Sequence, residues 1–113
     1  MKIYHNPKCG KSRQTLALIQ DSSKPVEIIE YLKNPPTENE LRQILALLKI
    51  KPKELIRQKE EIFVRYYKDK TFNDEEWIKI MVENPILIER PIVVDGKKAI
   101  IGRPPERVRE LLD

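Results

Sequence analysis

The chain has 113 residues, 40% hydrophobic and 35% charged, which suits one water-soluble domain, residues 1–113, with a core of its own. Its 22 basic and 18 acidic residues are interspersed and leave a formal charge of +4, with no basic stripe or stacking-aromatic pattern of the kind nucleic-acid binding needs. One cysteine excludes an internal disulfide framework, and no apolar run approaches the roughly 20 residues that span a bilayer. The N-terminus shows no signal-peptide pattern, so a reducing, cytoplasmic setting is expected, without nucleic-acid or membrane partners.

Lys2-Ile3-Tyr4-His5 is short and β-prone, and Pro7 ends it because proline cannot donate to a ladder. A helix is predicted from about Gly10 or Ser12 to Asp21, with Ser12 as its cap and Leu16, Ile19 and Gln20 on one side. Ser22 to Pro25 breaks it, and Val26 to Tyr31 reads as a second strand. That is a β-α-β unit, which makes neighbouring parallel strands.

Asn34-Pro35-Pro36 stops the chain, and Thr37-Glu38-Asn39-Glu40 has the form of a capping box. Leu41, Ile44, Leu45 and Leu48 follow with the spacing of one buried helix face. Pro52 can open a further short helix carrying Leu55, Ile56 and Arg57. Between Lys59 and Thr71 turns are expected, with one helical segment around Phe63 to Tyr67. Asn73-Asp74-Glu75-Glu76 reads as another helix start, Trp77 to Val82 supplies its apolar side, and Asn84-Pro85 closes it.

Pro91 to Val94 and Ala99 to Ile101 flank Asp95-Gly96, a strong hairpin signal. A last short helix is predicted from Glu106 to Leu112. The fold class is therefore α/β: a β-α-β unit, a helical insertion, then β-β-α, giving a mixed central sheet flanked by helices. That order is thioredoxin-like.

Chemistry concentrates at His5-Asn6-Pro7-Lys8-Cys9-Gly10-Lys11-Ser12-Arg13, which holds the chain's only cysteine and only histidine. Cys9 sits where a strand hands over to a helix, so first-turn amides and the neighbouring cations favour its thiolate. Gly10 lets the backbone come close to whatever the sulfur attacks. His5 has two readings, a hydrogen-bonded residue at the core edge or a partner that supports the thiolate. One Cys and one His do not make a four-ligand metal site, so no metal is expected. The spacing fits neither a P-loop nor a phosphatase Cys-x5-Arg loop, and Ser12 stands where a second redox cysteine would be. Any resolving thiol must come from another molecule. In a thioredoxin-like sheet the residue before the third strand is a cis-proline facing the active cysteine. That role assigns to Pro91 and sets Arg90 beside Cys9, where a planar guanidinium suits an oxyanion. Arg103, beside Pro104 at the end of the next strand, occupies a comparable loop.

Four stretches resemble the glutaredoxin-coupled arsenate reductase (ArsC) family: Asn6-Pro7-x-Cys9-x-x-Ser12-Arg13, Tyr31-Leu32-x-x-Pro35-Pro36, Asn84 to Val94 with Arg90-Pro91, and Arg103-Pro104. The resemblance implies a reductase of arsenate or a similar oxyanion, with Cys9 as nucleophile, His5 lowering its pKa, and Arg57, Arg90 and Arg103 binding the substrate. It implies glutathione and glutaredoxin as external reductants, no bound cofactor, and a monomer as the expected state. Some family members carry a C-terminal extension, whereas this sequence ends at Asp113. The alternatives are a non-enzymatic regulator of the same fold, of the RNA-polymerase-binding type, and a thiol reductase of another oxidised substrate.

Overall fold

A computed structural model describes residues 1–112; Asp113 lies outside the described residues. The chain forms two compact units, one of Met1–Asn34 together with the stretch from Arg90 onward, the other of Pro35–Glu89. Among the described residues no helix is long and apolar enough to cross a membrane.

The first unit is built on a four-stranded sheet of order β2-β1-β3-β4, where β1 is Lys2–His5, β2 Glu27–Glu30, β3 Ile92–Asp95 and β4 Lys98–Ile101. β1 runs parallel to β2, pairing His5 with Glu30, and antiparallel to β3, pairing Tyr4 with Ile92. The β1–β2 crossover is helix α1, Gly10–Asp21. β3 and β4 form the expected hairpin. Because the directions alternate this way, the ends of β1, β2 and β4 and the start of β3 all meet at one edge of the sheet. The core beneath is Ile3, Val93 and Ile100 of the sheet against Ile19 of α1 and Val108 and Leu111 near the C-terminus, all buried. Each such side chain contributes about 1.5–3 kcal/mol on burial.

Local details differ from the sequence reading. The buried face of α1 is Ser12, Thr15 and Ile19, spaced three and four apart on one side of the helix, and Gln20 is exposed. Val26 and Tyr31 lie outside β2. The hairpin turn is Gly96-Lys97, since Asp95 pairs with Lys98 as the last rung, and Gly96 supplies the positive φ of 62°. Asp95 instead binds Lys24 Nζ through a carboxylate oxygen at 2.8 Å. The C-terminal helix begins as a 3-10 turn, Pro105–Val108, before α5, Arg109–Leu112.

In the second unit α2 (Glu38–Leu48) and α4 (Asp74–Glu83) pack together, burying Leu41, Ile44 and Leu45 with Trp77, Ile78 and Met81. Both carry complete capping boxes: the amide of Glu40 donates to Thr37 Oγ1 at 3.1 Å, and that of Glu76 to Asn73 Oδ1 at 2.8 Å. Between them α3 spans Glu61–Tyr66. Phe63 stacks on Trp77 with ring centroids 6.0 Å apart. The predicted helix at Pro52 is a 3-10 turn, Pro52–Leu55, which ends before Ile56 and Arg57.

Candidate active site

The Cys9 loop is shaped by its own backbone. Cys9 N–H donates to the Asn6 carbonyl at 3.0 Å, and Lys8 N–H to Asn6 Oδ1 at 3.0 Å, so Asn6 folds the chain through Pro7 into a tight turn. Arg13 N–H then donates to the Cys9 carbonyl at 3.0 Å, which makes Cys9 the N-cap of α1. The cap is therefore not Ser12. A cysteine holds the position where a serine or aspartate oxygen usually accepts first-turn amides, so its sulfur takes their field.

The thiol's acidity follows from this placement. Burial pushes the Cys9 thiol up, but the amide of Ser12, the Arg90 guanidinium by hydrogen bond and by charge, and the amide of Lys11 together outweigh it, and the net shift is downward. Arg103 adds a direct contact, Nη2 to Cys9 Sγ at 3.6 Å. Arg103 Nε–H also donates to the Arg90 carbonyl at 2.9 Å, tying the two arginine loops together. The Arg90–Pro91 and Arg103–Pro104 peptide bonds are both cis. Between them Gly102 donates its N–H to the Pro91 carbonyl at 2.9 Å. A Cβ at Gly102 would lie 2.5 Å from Thr15 Oγ1 and 2.8 Å from Pro91 Cγ, so the end of β4 closes tightly on α1 and on the start of β3. At Gly10 a Cβ would meet only Arg13 Nη2, at 3.8 Å; there the surrounding protein leaves room.

Ser12 works from inside the helix. It is fully buried; its Oγ accepts the Asn6 N–H at 3.1 Å and lies 2.6 Å from His5 Nδ1. Ser12 Oγ and His5 Nδ1 thus share one hydrogen bond, which couples the imidazole to the first turn of α1. Burial holds the His5 pKa below its ordinary value; the charge of Glu30 opposes this and that of Arg13 assists it. His5 is therefore neutral at neutral pH, and the bond it makes runs to Ser12, whose amide is the strongest of the groups that favour the thiolate.

The structure thus gathers Cys9, Ser12, His5, Arg90, Pro91 and Arg103 at one sheet edge. Arg57 belongs to the other unit. There Ile56 forms an antiparallel bridge with Ile88, and the Arg57 amide donates to the Leu87 carbonyl at 2.8 Å. Its guanidinium donates to Glu60 Oε1 at 3.0 Å and Glu89 Oε1 at 3.2 Å. Two residues of the Asn6-Pro7-x-Cys9-x-x-Ser12-Arg13 stretch that were not assigned a site role also shape the site: Asn6, through its turn, and Arg13, whose Nη1 donates to the Pro7 carbonyl at 2.9 Å. The motif was the signal for both. Among the described residues, no three His, Cys, Asp or Glu side chains gather where one metal ion could bind them.

Chemically the arrangement is a cysteine whose pKa is held below its ordinary value, facing two guanidinium groups. A model of the ArsC family matches residues 4–111. The uncharacterized protein YfgD of Escherichia coli K12 is 45% identical over 114 residues, covering 99% of this chain and 96% of YfgD. The arsenate reductase of Escherichia coli K12 is 43% identical over 112 residues, covering 97% of this chain and 79% of that enzyme. The solved structure of an arsenate reductase from Vibrio cholerae superposes with a TM-score of 0.91 at 41% identity, covering 97% of both chains.

Proposed function

The chain belongs to the ArsC family, and from that premise we propose that it is an arsenate reductase that uses Cys9 as nucleophile and draws its reducing equivalents from glutathione and glutaredoxin. The observation that carries the reading is the seat of Cys9: an N-cap sulfur with a depressed pKa, 3.6 Å from the Arg103 guanidinium. A thiolate is the attacking form of cysteine, and paired guanidinium donors suit the oxygens of a tetrahedral oxyanion.

In this reading Arg90 and Arg103 hold the arsenate oxygens while the Cys9 thiolate attacks arsenic. An As–O bond breaks and the oxygen leaves, protonated, as water. A glutathione thiol adds to arsenic and displaces a second oxygen in the same way. A glutaredoxin thiolate then takes the glutathione sulfur, leaving the As–S electron pair on arsenic, which becomes As(III). Hydrolysis of the remaining Cys9–As bond releases arsenite. The net change is one arsenate and two thiols to arsenite, a disulfide and water. The external thiols are needed because the sequence has one cysteine.

The test is arsenate-dependent NADPH oxidation coupled through glutathione reductase, with glutathione and glutaredoxin supplied and Cys9→Ser as control. Wild type turns over and the variant does not. Absence of arsenate-dependent oxidation by wild type overturns the reading.

A further inference from the structure

The Cys9 loop has two flanks. In the sheet order β2-β1-β3-β4 the arginine loops stand on the β3 and β4 side of β1. On the β2 side lies a groove of about 400 Å³ lined by His5, Asn6, Pro7, Lys8, Glu30, Leu32 and Lys33. Its size falls within the range of about 300–1,000 Å³ found for small-molecule sites. One wall, Pro7 and Lys8, is the loop that ends in Cys9; the other, from Glu30 to Lys33, follows the end of β2.

We propose that this groove docks the second thiol of the reaction, a small zwitterionic thiol of the chemistry of glutathione; the proposal rests on the reductase reading above and adds to it a place and a recognition mode. Three observations carry it. The groove adjoins the loop that leads into Cys9, on the β2 side of β1, away from the strands that carry Arg90 and Arg103. Its charges are two cations, Lys8 and Lys33, and one anion, Glu30, the complement of a tripeptide thiol with two carboxylates and one ammonium group. Lys33 and Glu30 are 3.6 Å apart and solvated, 77% and 42% exposed, so both can turn to a ligand at little cost. Leu32, 41% exposed, and Pro7 offer apolar surface for the ligand's backbone.

The experiment reads docking through Cys9 itself and without arsenic. The Cys9 thiolate attacks a disulfide; one S–S bond breaks, the Cys9 mixed disulfide forms, and one thiolate leaves, whose absorbance or mass is followed. Second-order rate constants are measured with oxidised glutathione and with uncharged hydroxyethyl disulfide. Wild type is compared with the double variant Leu32→Glu, Lys33→Glu, neither residue being part of the catalytic machinery. The ratio of the two rate constants cancels any change in Cys9 reactivity or in folding common to both reagents. We expect the ratio to fall about tenfold in the variant, and less so at high salt. A fall of less than about threefold overturns the proposal. The reductase reading is judged separately: if wild type makes no arsenite yet the ratio falls, the groove stands and the arsenate chemistry does not; if arsenite forms but the ratio holds, the groove alone is lost.

Discussion

Arg103 spends its Nε–H on the carbonyl of Arg90, at 2.9 Å, and so presents Nη2 to Cys9 Sγ at 3.6 Å. One side chain thereby ties the backbone of the Arg90 loop to the Cys9 sulfur. Lysine cannot do this, because its single ammonium group cannot hold a carbonyl behind it and an anion in front in the same fork geometry.

Arg103→Lys should therefore behave almost as Arg103→Ala. We expect kcat/KM for arsenate to fall by about 10²-fold or more in both. Recovery by lysine to within a few-fold of wild type would show that charge alone suffices.

Ser12→Ala removes the acceptor of the Asn6 amide and the partner of His5 Nδ1 in a fully buried place. Leaving such groups unsatisfied costs about 1–3 kcal/mol. Urea denaturation should show a loss in that range, and Cys9 alkylation should shift to higher pH as the loop loosens.

His5 gives stability a defined pH dependence. Its folded-state pKa lies below the ordinary value of about 6.5. The unfolded chain takes up the proton at higher pH than the folded one, so the contribution is complete above about pH 6.5 and is lost as pH falls through the folded value. Urea midpoints measured at descending pH should fall across that window, and His5→Gln should flatten the fall.

The second unit offers a control far from this chemistry in sequence. Thr37→Ala breaks the capping box of α2. It should cost about 1 kcal/mol in urea denaturation and leave the pH profile of Cys9 alkylation in place.

The fold was legible in the sequence wherever a local rule had no competitor. The Thr37 box, the acidic helix start at Asn73 and the apolar spacing of Leu41, Ile44 and Leu45 read directly as helices, and the β-α-β and β-β-α order gave the mixed sheet. The error at Ser12 has a local cause. Serine is the usual cap, but here Cys9 holds the N-cap position, three residues before Ser12, and Ser12 is turned inward. Ile56 and Arg57 were misplaced on a helix because their pairing partner, Ile88, is distant in sequence. The Cys9, Arg90 and Arg103 constellation could be read from strand order. The His5–Ser12–Asn6 bonds, the Arg103–Arg90 bond and the groove at Leu32 could not, because each depends on side-chain directions set by packing.

The central claim, that Cys9 is a stabilised thiolate in an oxyanion cradle, is tested most directly by the rate of Cys9 alkylation by iodoacetamide against pH, with and without arsenate. The account predicts a midpoint below the ordinary thiol value of about 8.5 and slower alkylation when arsenate is present. A midpoint at the ordinary value, with rates that arsenate leaves unchanged, would contradict it.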